Sequence, residues 1–515
     1  MTDKNDDMKS PQHAETFPRL IRSAASAYGD AIAITLLDEA GAEESLSFAE
    51  LDRQSSELAR GLLARGVGKG SRVGFIYGNG PSFALIFAAI ARAGGVAIPI
   101  STFIKADELV RVLRQSDIAG LIVQRSLLGK DYVERLCQAL PGLCEEQGPQ
   151  LRLPEVPFLR WVVSSGDMLP AAIHPMSWIA DAAHTVSEAL LLEVEAEIHP
   201  SDQMMEIYTS GSMALPKGVR HNHGATMFRA RYIREKLQLR AGQQTTVPLP
   251  LFWVGGMIMY LLPNWVCGAI TGCTEGTSTN SRFAMGVVLA DDDAQSLPAG
   301  KILWALGMTE TLGPYSYGDE ARVAGYPLCA PLDHIADGFE VRVVDAEGRG
   351  VADGETGEIQ VRGYALTPGL HKVEKSRYFT ADGFYRTGDM GTVLDGRILF
   401  VGRDGDMIKT VGSNVSPAEV ELEIQRLPDV HSAYVVGIPD SERGQLVVAA
   451  VVPRDEVTVD FELARKILSQ RLSSYKVPRE YVAIARDEVP MLPSNKVSRR
   501  GVEALVAKKL GRKPR

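Results

Sequence analysis

From Leu46 to Val123 the apolar residues alternate between helical spacing and short unbroken runs. Pro81 opens a stretch with Phe83, Leu85, Ile86 and Ile90 apolar, and Gly94-Gly95 closes it. Proline favours the first helical turn and glycine the position just past the last, so a helix is predicted here. Val96 to Ile100 follows as a buried strand. Asp107 to Gln115 sets Leu109, Val112 and Leu113 on one helical face, and Gly120 to Val123 is the next strand. Repeated helix–strand alternation predicts an α/β fold: a parallel sheet with helices on both faces. The glycines of Gly66-Val67-Gly68-Lys69-Gly70 lack a strand–loop–helix context and are taken as a connector.

The texture changes near Phe339. Glu340 to Val344, a turn at Glu347-Gly348 and Glu358 to Val361 predict a small β-rich subdomain, about 325–403. After Arg403 the chain restarts as a compact α+β unit. Ser416-Pro417-Ala418-Glu419 is a helix start with a capping box, followed by the apolar stripe Val420, Ile424 and Leu427. Strands at Ala433 to Ile438 and Leu446 to Val452 and a helix from about Phe461 to Leu472 complete it. The expected organisation is a large N-terminal domain, 1–403, made of parallel-sheet α/β subdomains plus the β-rich one, and a small mobile C-terminal α+β domain, 404–515.

A chain of 515 residues exceeds what one core serves, in keeping with two or more domains. Its net charge of −9, without a basic stripe, argues against nucleic-acid binding. The five cysteines (Cys137, Cys144, Cys267, Cys273, Cys329) form no CxxC pair and are expected to be reduced, buried thiols of a cytoplasmic protein. The first fifteen residues are polar and charged, which argues against a secretory signal. Arg92 and Gly94-Gly95 interrupt the most apolar stretch, Phe83 to Ile100, so no transmembrane segment is expected.

The densest chemistry lies in Tyr208 to Val219, YTSGSMALPKGV. Thr209, Ser210 and Ser212 supply hydroxyls, Gly211 lets backbone N–H groups approach phosphate oxygens, and Lys217 adds a point charge. The spacing is not that of a Walker loop. It resembles the phosphate loop of the adenylate-forming superfamily, which includes acyl-CoA synthetases, peptide-synthetase adenylation domains and luciferases. The resemblance continues in order along nearly the whole chain. It takes in Gly307-Met308-Thr309-Glu310, Gly354-Glu355-Thr356-Gly357-Glu358-Ile359 and Tyr385-Arg386-Thr387-Gly388-Asp389. Gly402 to Glu421 and Pro493-Ser494-Asn495-Lys496 follow.

This resemblance implies an ATP-dependent acid–CoA ligase that forms an acyl-adenylate and then a thioester, with ATP, Mg²⁺ and CoA as its cofactors. The Thr209–Lys217 loop would hold the β- and γ-phosphates, Thr309 would contact the α-phosphate, and Glu310 would ligate Mg²⁺. Asp389 and Arg403 would hold the ribose, and Lys496 would be the catalytic cation of adenylation. Gly405 would be the hinge of a domain rotation, after which Gly412 lines the pantetheine tunnel. Pro250 to Gly256 resembles the family's acyl-pocket segment, with Trp253 at the gate and Gly256 beside it. Met257, Met259 and Tyr260 are further candidates for an apolar lining, with core packing an equal alternative. No aspartate stands there to hold an amino group, which favours a fatty, branched or alicyclic carboxylic acid. A homodimer is compatible with these features.

Three departures from the family pattern stand out. Met213-Ala214 occupies the usual Thr-Gly, Leu306 stands where an aromatic stacks on adenine, and the segment from Phe252 to Gly307 is shorter than in typical members. They keep two alternatives open: an enzyme that loads a carrier-protein phosphopantetheine, and a degenerate nucleotide-binding homologue without ligase turnover.

Overall fold

The computed structural model describes residues 10–38, 41–145, 151–209, 216–275, 283–284, 287–288, 304–318, 334–410, 413–440, 443–455, 457–472, 476–492 and 497–512. The chain divides into two compact units. The first comprises Met1–Tyr315, Ala336–Phe339 and Gly363–Arg377; the second comprises Ser316–Ile335, Glu340–Arg362 and Tyr378–Arg515. Most of the β-rich segment therefore lies in the same compact unit as the C-terminal residues, whereas the order of motifs sets a boundary at 403/404.

In the first unit, α1 (Phe17–Tyr28), β1 (Ile32–Leu37), β2 (Glu43–Ser47) and α2 (Phe48–Ala64) precede the alternating region. That region runs β3 (Arg72–Ile76), which the pattern did not single out, then α3 (Pro81–Arg92), β4 (Val96–Pro99), α4 (Ala106–Gln115) and β5 (Gly120–Val123), these last four close to the bounds the pattern predicts. It continues with β6 (Trp161–Ser164), β7 (Ile173–Pro175), β8 (Gln203–Thr209), β9 (Lys217–Asn222), α5 (His223–Lys236), β10 (Gln244–Thr246) and β11 (Ile270–Thr274). One sheet has the order β9-β8-β4-β3-β5-β6-β7 and is parallel except for the β8–β9 hairpin. Its apolar strands are buried on both faces, as parallel sheets require. A second sheet, β10-β11-β1-β2, uses strands that the pattern did not single out. Helix α3 ends on a fully buried Arg92, paired with Glu195 at 2.6 Å and Asp52 at 2.9 Å. Burying that charge without partners would be strongly destabilising.

In the second unit, β12 (Phe339–Val344), β13 (Thr356–Gly363), β14 (Tyr385–Leu394) and β15 (Arg397–Arg403) form a sheet in sequence order. Next come β16 (Ile408–Thr410), β17 (Ser413–Val415), α6 (Pro417–Gln425), β18 (Val430–Asp440) and β19 (Gly444–Pro453). They are followed by α7 (Phe461–Arg471), β20 (Glu480–Ala483) and α8 (Arg499–Lys509). Along β19, Val447, Ala449 and Val451 join one core with Val420, Ile424 and Leu468, and the alternate residues Leu446, Val448 and Ala450 join another with Val502 and Val506. This period of two places α6 and α7 on one face of the sheet and α8 on the other. Pro417 opens α6 as expected, but the Ser416 side chain makes no capping bond, so the predicted capping box is not formed.

The cysteine expectation is corrected. Cys137 and Cys144 lie on successive short helices, Tyr132–Ala139 and Gly142–Glu145, and form a disulfide with a Cα–Cα distance of 6.0 Å. Cys267 and Cys273 are buried free thiols, and burial pushes Cys273 up to about 12. Cys329 lies outside the described residues. No helix among the described residues is long and apolar enough to cross a membrane.

Candidate active site

The β8–β9 hairpin projects from the edge of the large sheet, with Met205 of β8 beside Ala97 of β4. Its register pairs Thr209 with Lys217, Tyr208 with Gly218 and Glu206 with Arg220, so the two expected phosphate ligands at its loop end face each other. Gly218 has a packing reason: a Cβ there would stand 2.5 Å from Glu206 Oε1 and 2.8 Å from the Tyr208 ring. Tyr208 donates to the fully buried Glu206 carboxylate at 2.7 Å, and burial beside that anion raises its pKa. Ser210, Gly211, Ser212, Met213 and Ala214 lie outside the described residues.

Thr309 and Glu310 occupy a single 3-10 turn, Thr309–Thr311, and both are buried. The Thr311 hydroxyl donates to the Gly313 carbonyl at 2.6 Å and accepts from the Met308 N–H at 3.1 Å, closing the turn on itself. Gly307 faces the backbone of Gly313 and Pro314, where a Cβ would come within 2.4 Å of a carbonyl oxygen. The Glu310 carbonyl accepts from the Thr367 N–H at 2.7 Å, and the Thr367 hydroxyl donates to the Arg220 carbonyl at 2.8 Å. Thr367 thus links the Glu310 turn to the hairpin. His221 of β9 is fully enclosed, and burial holds it down to about 3 against its polar contact with the Thr309 backbone. It is neutral at physiological pH.

Trp253 precedes the short helix Val254–Gly256, and its ring lies 6.3 Å from Phe103 and 5.8 Å from Phe252. A Cβ on Gly256 would stand 2.3 Å from the Pro250 carbonyl oxygen, so the glycine is required by this turn. Asn79 fixes the segment from outside: its amide donates to the Leu249 carbonyl at 3.0 Å, and its oxygen accepts from the Leu251 N–H at 2.7 Å. A cavity of about 110 Å³ opens beside it, lined by Tyr77, Asn79, Phe103, Gln124, Pro250 and Phe252 among others. Met257 is fully buried, whereas Met259 and Tyr260 are half-buried. Leu306 is buried.

In the second unit Asp389 and Arg403 are cross-strand partners on β14 and β15, with Arg403 Nε 2.9 Å from Asp389 Oδ1. The Asp389 N–H donates to the Thr387 hydroxyl at 2.9 Å. The carboxylate is buried while the Arg403 side chain is 58% exposed. Gly405 sits in a short turn, Asp404–Asp406, where a Cβ would meet open space. Gly412 and Lys496 lie outside the described residues. On either side of Lys496, Met491 bridges to Val497, and Arg499 pairs with Glu421 at 2.7 Å.

Asn79, Glu206, His221, Thr367 and His371 escaped the sequence reading. Four of them stand outside any quoted motif, and His221 follows one. A buried polar residue on a strand leaves no periodic signal beyond a break in an apolar run. Glu206 inside QMMEIYT is such a break.

Residues 21–291 match the model described as AMP-binding enzyme, and residues 419–496 match the AMP-binding enzyme C-terminal domain. A putative acyl-CoA synthetase, YngI, of Bacillus subtilis (strain 168) is 26% identical, over 94% of this chain and 96% of its own. The 4-chlorobenzoate–CoA ligase of an Arthrobacter species is 28% identical, over 93% of each chain. The crystal structure of the anthranilate CoA ligase AuaEII with anthranoyl-AMP has the same fold, with a TM-score of 0.76 at 21% identity over 96% of this chain and 98% of that one.

Proposed function

The chain belongs to the AMP-binding enzyme family of the adenylate-forming superfamily and is an AMP-forming acid–CoA ligase; on that premise we propose the roles of its residues and the class of its acid. The observation that carries the assignment of roles is the link through Thr367, which ties the Thr209–Lys217 hairpin to the buried Glu310 within one unit.

A carboxylate is a poor acyl donor because its leaving group would be an oxide. In the first half-reaction the acid's oxygen attacks the α-phosphorus of ATP, releasing pyrophosphate and leaving an acyl-adenylate. A thiol then attacks the acyl carbon and AMP departs. We assign Lys217 and the Thr209 hydroxyl to the outer phosphates, and Thr309 to the α-phosphate. Lys496 acts as the cation facing charge that develops at phosphorus. Asp389, oriented by Arg403 and Thr387, accepts the ribose hydroxyls. Glu310 suits Mg²⁺: its carboxylate is buried on a turn closed by Thr311, and hard cations choose oxygen. Among the described residues no three metal-ligating side chains gather. A lone carboxylate completed by phosphate oxygens is a usual way for Mg²⁺ to be held. When bound, the ion neutralises charge on the phosphates.

Rotation of residues 404–515 about Gly405, with Gly412 in the thiol's path, belongs to the same proposal. So does the acid class: an apolar acid without an α-amine, fatty, branched or alicyclic. The ring cluster of Phe103, Phe252 and Trp253 favours a second reading, an aryl acid that stacks on these faces. The deciding experiment is acid-dependent ATP–pyrophosphate exchange over aliphatic, alicyclic and aryl acids, followed by thioester formation with CoA and with a carrier protein. Exchange with aryl acids alone would displace the first class. Transfer to a carrier protein but not CoA would replace the acceptor. No exchange with any acid would favour a nucleotide-binding homologue without turnover.

A further inference from the structure

Within Thr367 to Lys372, residues 369–371 pair with the outer edge of β9 through one antiparallel bridge and its flanking backbone hydrogen bonds. The His371 N–H donates to the Gly218 carbonyl at 2.8 Å, the Arg220 N–H donates to the Gly369 carbonyl at 3.4 Å, and Val219 bridges to Leu370. Gly369 accepts again from Arg220 Nε at 3.4 Å. A Cβ on Gly369 would come within 2.8 Å of the Arg220 guanidinium, and its φ of +155° is unfavourable for other residues. The segment therefore follows a path adapted to this edge.

Side chains anchor both of its ends. At the first, Thr367 holds the Glu310 carbonyl through its N–H and the Arg220 carbonyl through its hydroxyl. At the second, His371 stands between two carboxylates. Its Nε2 lies 3.1 Å from Asp117 Oδ2, and its Nδ1 lies 3.8 Å from Glu206 Oε2. Glu206 also takes Arg72 at 2.5 Å, Tyr208 at 2.7 Å and Gln203 at 3.1 Å. Lys372 covers the other oxygen of Asp117 at 2.5 Å. A fully buried glutamate on the strand that leads to Thr209 is costly unless such partners surround it. Apolar packing would hold the strand at lower cost. What the charged arrangement adds is direction: it fixes one register of β8 against β9 and the strap.

We propose that Thr367–Lys372 is a strap that holds Thr209 and Lys217 in fixed relation to Glu310, and that His371 is a positioning residue for ATP binding. The inference rests on the reading that Thr209, Lys217 and Glu310 serve ATP. It is specific to the nucleotide, because no strap contact described above reaches the Trp253 segment.

The test uses the full chain. ATP dissociation constants are measured by calorimetry, and KM values for ATP and the acid by pyrophosphate exchange. Amide hydrogen exchange is followed in peptides that contain 203–209 and 217–222. His371→Ala should weaken ATP binding about tenfold, leave the acid's KM within twofold and speed exchange in both strands. His371→Gln, whose amide can donate to Asp117 in place of Nε2, should recover most of the affinity. Thr367→Val, which removes only the hydroxyl link, should give a smaller loss in the same direction. If His371→Ala fails to fold, the Gln and Val variants carry the test alone: recovery with Gln and a partial loss with Val support the strap. Wild-type ATP affinity in every folded variant overturns the strap and leaves the ligase reading standing. Equal rises in the KM of ATP and acid also overturn it. A wild-type protein that binds no ATP overturns both.

Discussion

Gly218 and Gly405 mark two regions built on different terms. Around Gly218 there is no room: Glu206 and Tyr208 occupy the space a methyl group would take, and His371 donates to its carbonyl. Around Gly405 there is open space, and its φ is outside the left-handed range. The acids repeat the contrast. Glu310 is placed by backbone and hydroxyl ties on a closed turn, whereas the Asp389 carboxylate pairs with a side chain that is itself 58% exposed. The first region is over-determined in one shape. The second carries a glycine whose freedom this conformation does not use, and that is what a part needing more than one arrangement would carry.

The largest effect should come from the second region. Lys496→Ala should slow adenylate formation by about two to three orders of magnitude, the scale of one electrostatic contact to a transition state. Thioester formation from a supplied acyl-adenylate should persist, because only the first half-reaction develops charge at phosphorus. Its neighbours fix the fold on either side through the Met491–Val497 bridge and the Arg499–Glu421 pair, so the variant should keep its melting temperature. Equal loss in both half-reactions would make this lysine structural.

Acid should discriminate between the two units next. His221 and His223 in the first unit are buried, and burial holds each down to about 3. In the unfolded chain they titrate near 6.5. Below that pH the unfolded state binds protons that the native state does not, so stability falls as pH drops from 6.5 towards 3. At pH 5 this amounts to about 2 kcal/mol for each histidine. The described histidines of the second unit, His334 and His431, are exposed. All five tryptophans (Trp161, Trp178, Trp253, Trp265, Trp304) lie in the first unit, so tryptophan fluorescence follows its acid transition alone. Hydrogen exchange follows the second. Simultaneous loss of both at one pH would show that these histidines do not set the difference.

Gly218→Ala brings the contrast down to one methyl group. Forcing a Cβ against Glu206 and Tyr208 should cost about 1–3 kcal/mol, the usual range for overpacking. Thermal unfolding would read it, with weaker ATP binding from a displaced Lys217. An unchanged melting temperature would mean that the hairpin yields more easily than its packing suggests.

The two regions also differ in what their sequence discloses. Helix α3 and strands β4 and β5 were legible because apolar period, Pro81 and Gly94-Gly95 agree at the level of local physics. The motif residues Thr209, Lys217, Glu310, Asp389 and Arg403 were legible because their order and spacing resemble a family. The residues that hold them were not. Thr367 and His371 act over separations of 147 and 254 positions from Arg220 and Asp117, and no local pattern encodes such a pair. The sheet β10-β11-β1-β2 depends on the pairing of β1 with β11, which lies far along the chain (Ile34 beside Thr271), and no local pattern encodes that pairing. The Cys137–Cys144 disulfide was missed for the opposite reason. Its spacing of seven is too long for a CxxC pair, and it depends on the turn between two short helices.

The smallest effect is the sharpest test of the comparison, because Gly405 should tolerate in one state what it cannot tolerate in another. In the conformation described, Gly405→Ala adds a methyl group to open space at a φ that any residue can adopt. Stability should change by no more than about 0.5 kcal/mol, and pyrophosphate exchange should stay at the parent rate. Gly405→Pro is the stronger probe. Proline sits comfortably in the first turn of a helix, but it holds φ near −65°, so it would keep one arrangement and deny any other. Pyrophosphate exchange should then persist while overall ligation to CoA falls. Alanine should lie between glycine and proline in ligation, since it resists only left-handed angles. That ranking, with stability constant throughout, is what an unused conformational freedom predicts. If all three proteins ligate at one rate, the pivot is not at 405, and the glycine is a neutral surface residue. If proline lowers exchange as much as ligation, the turn Asp404–Asp406 serves adenylation itself, and the contrast with Gly218 would be one of tightness rather than of motion.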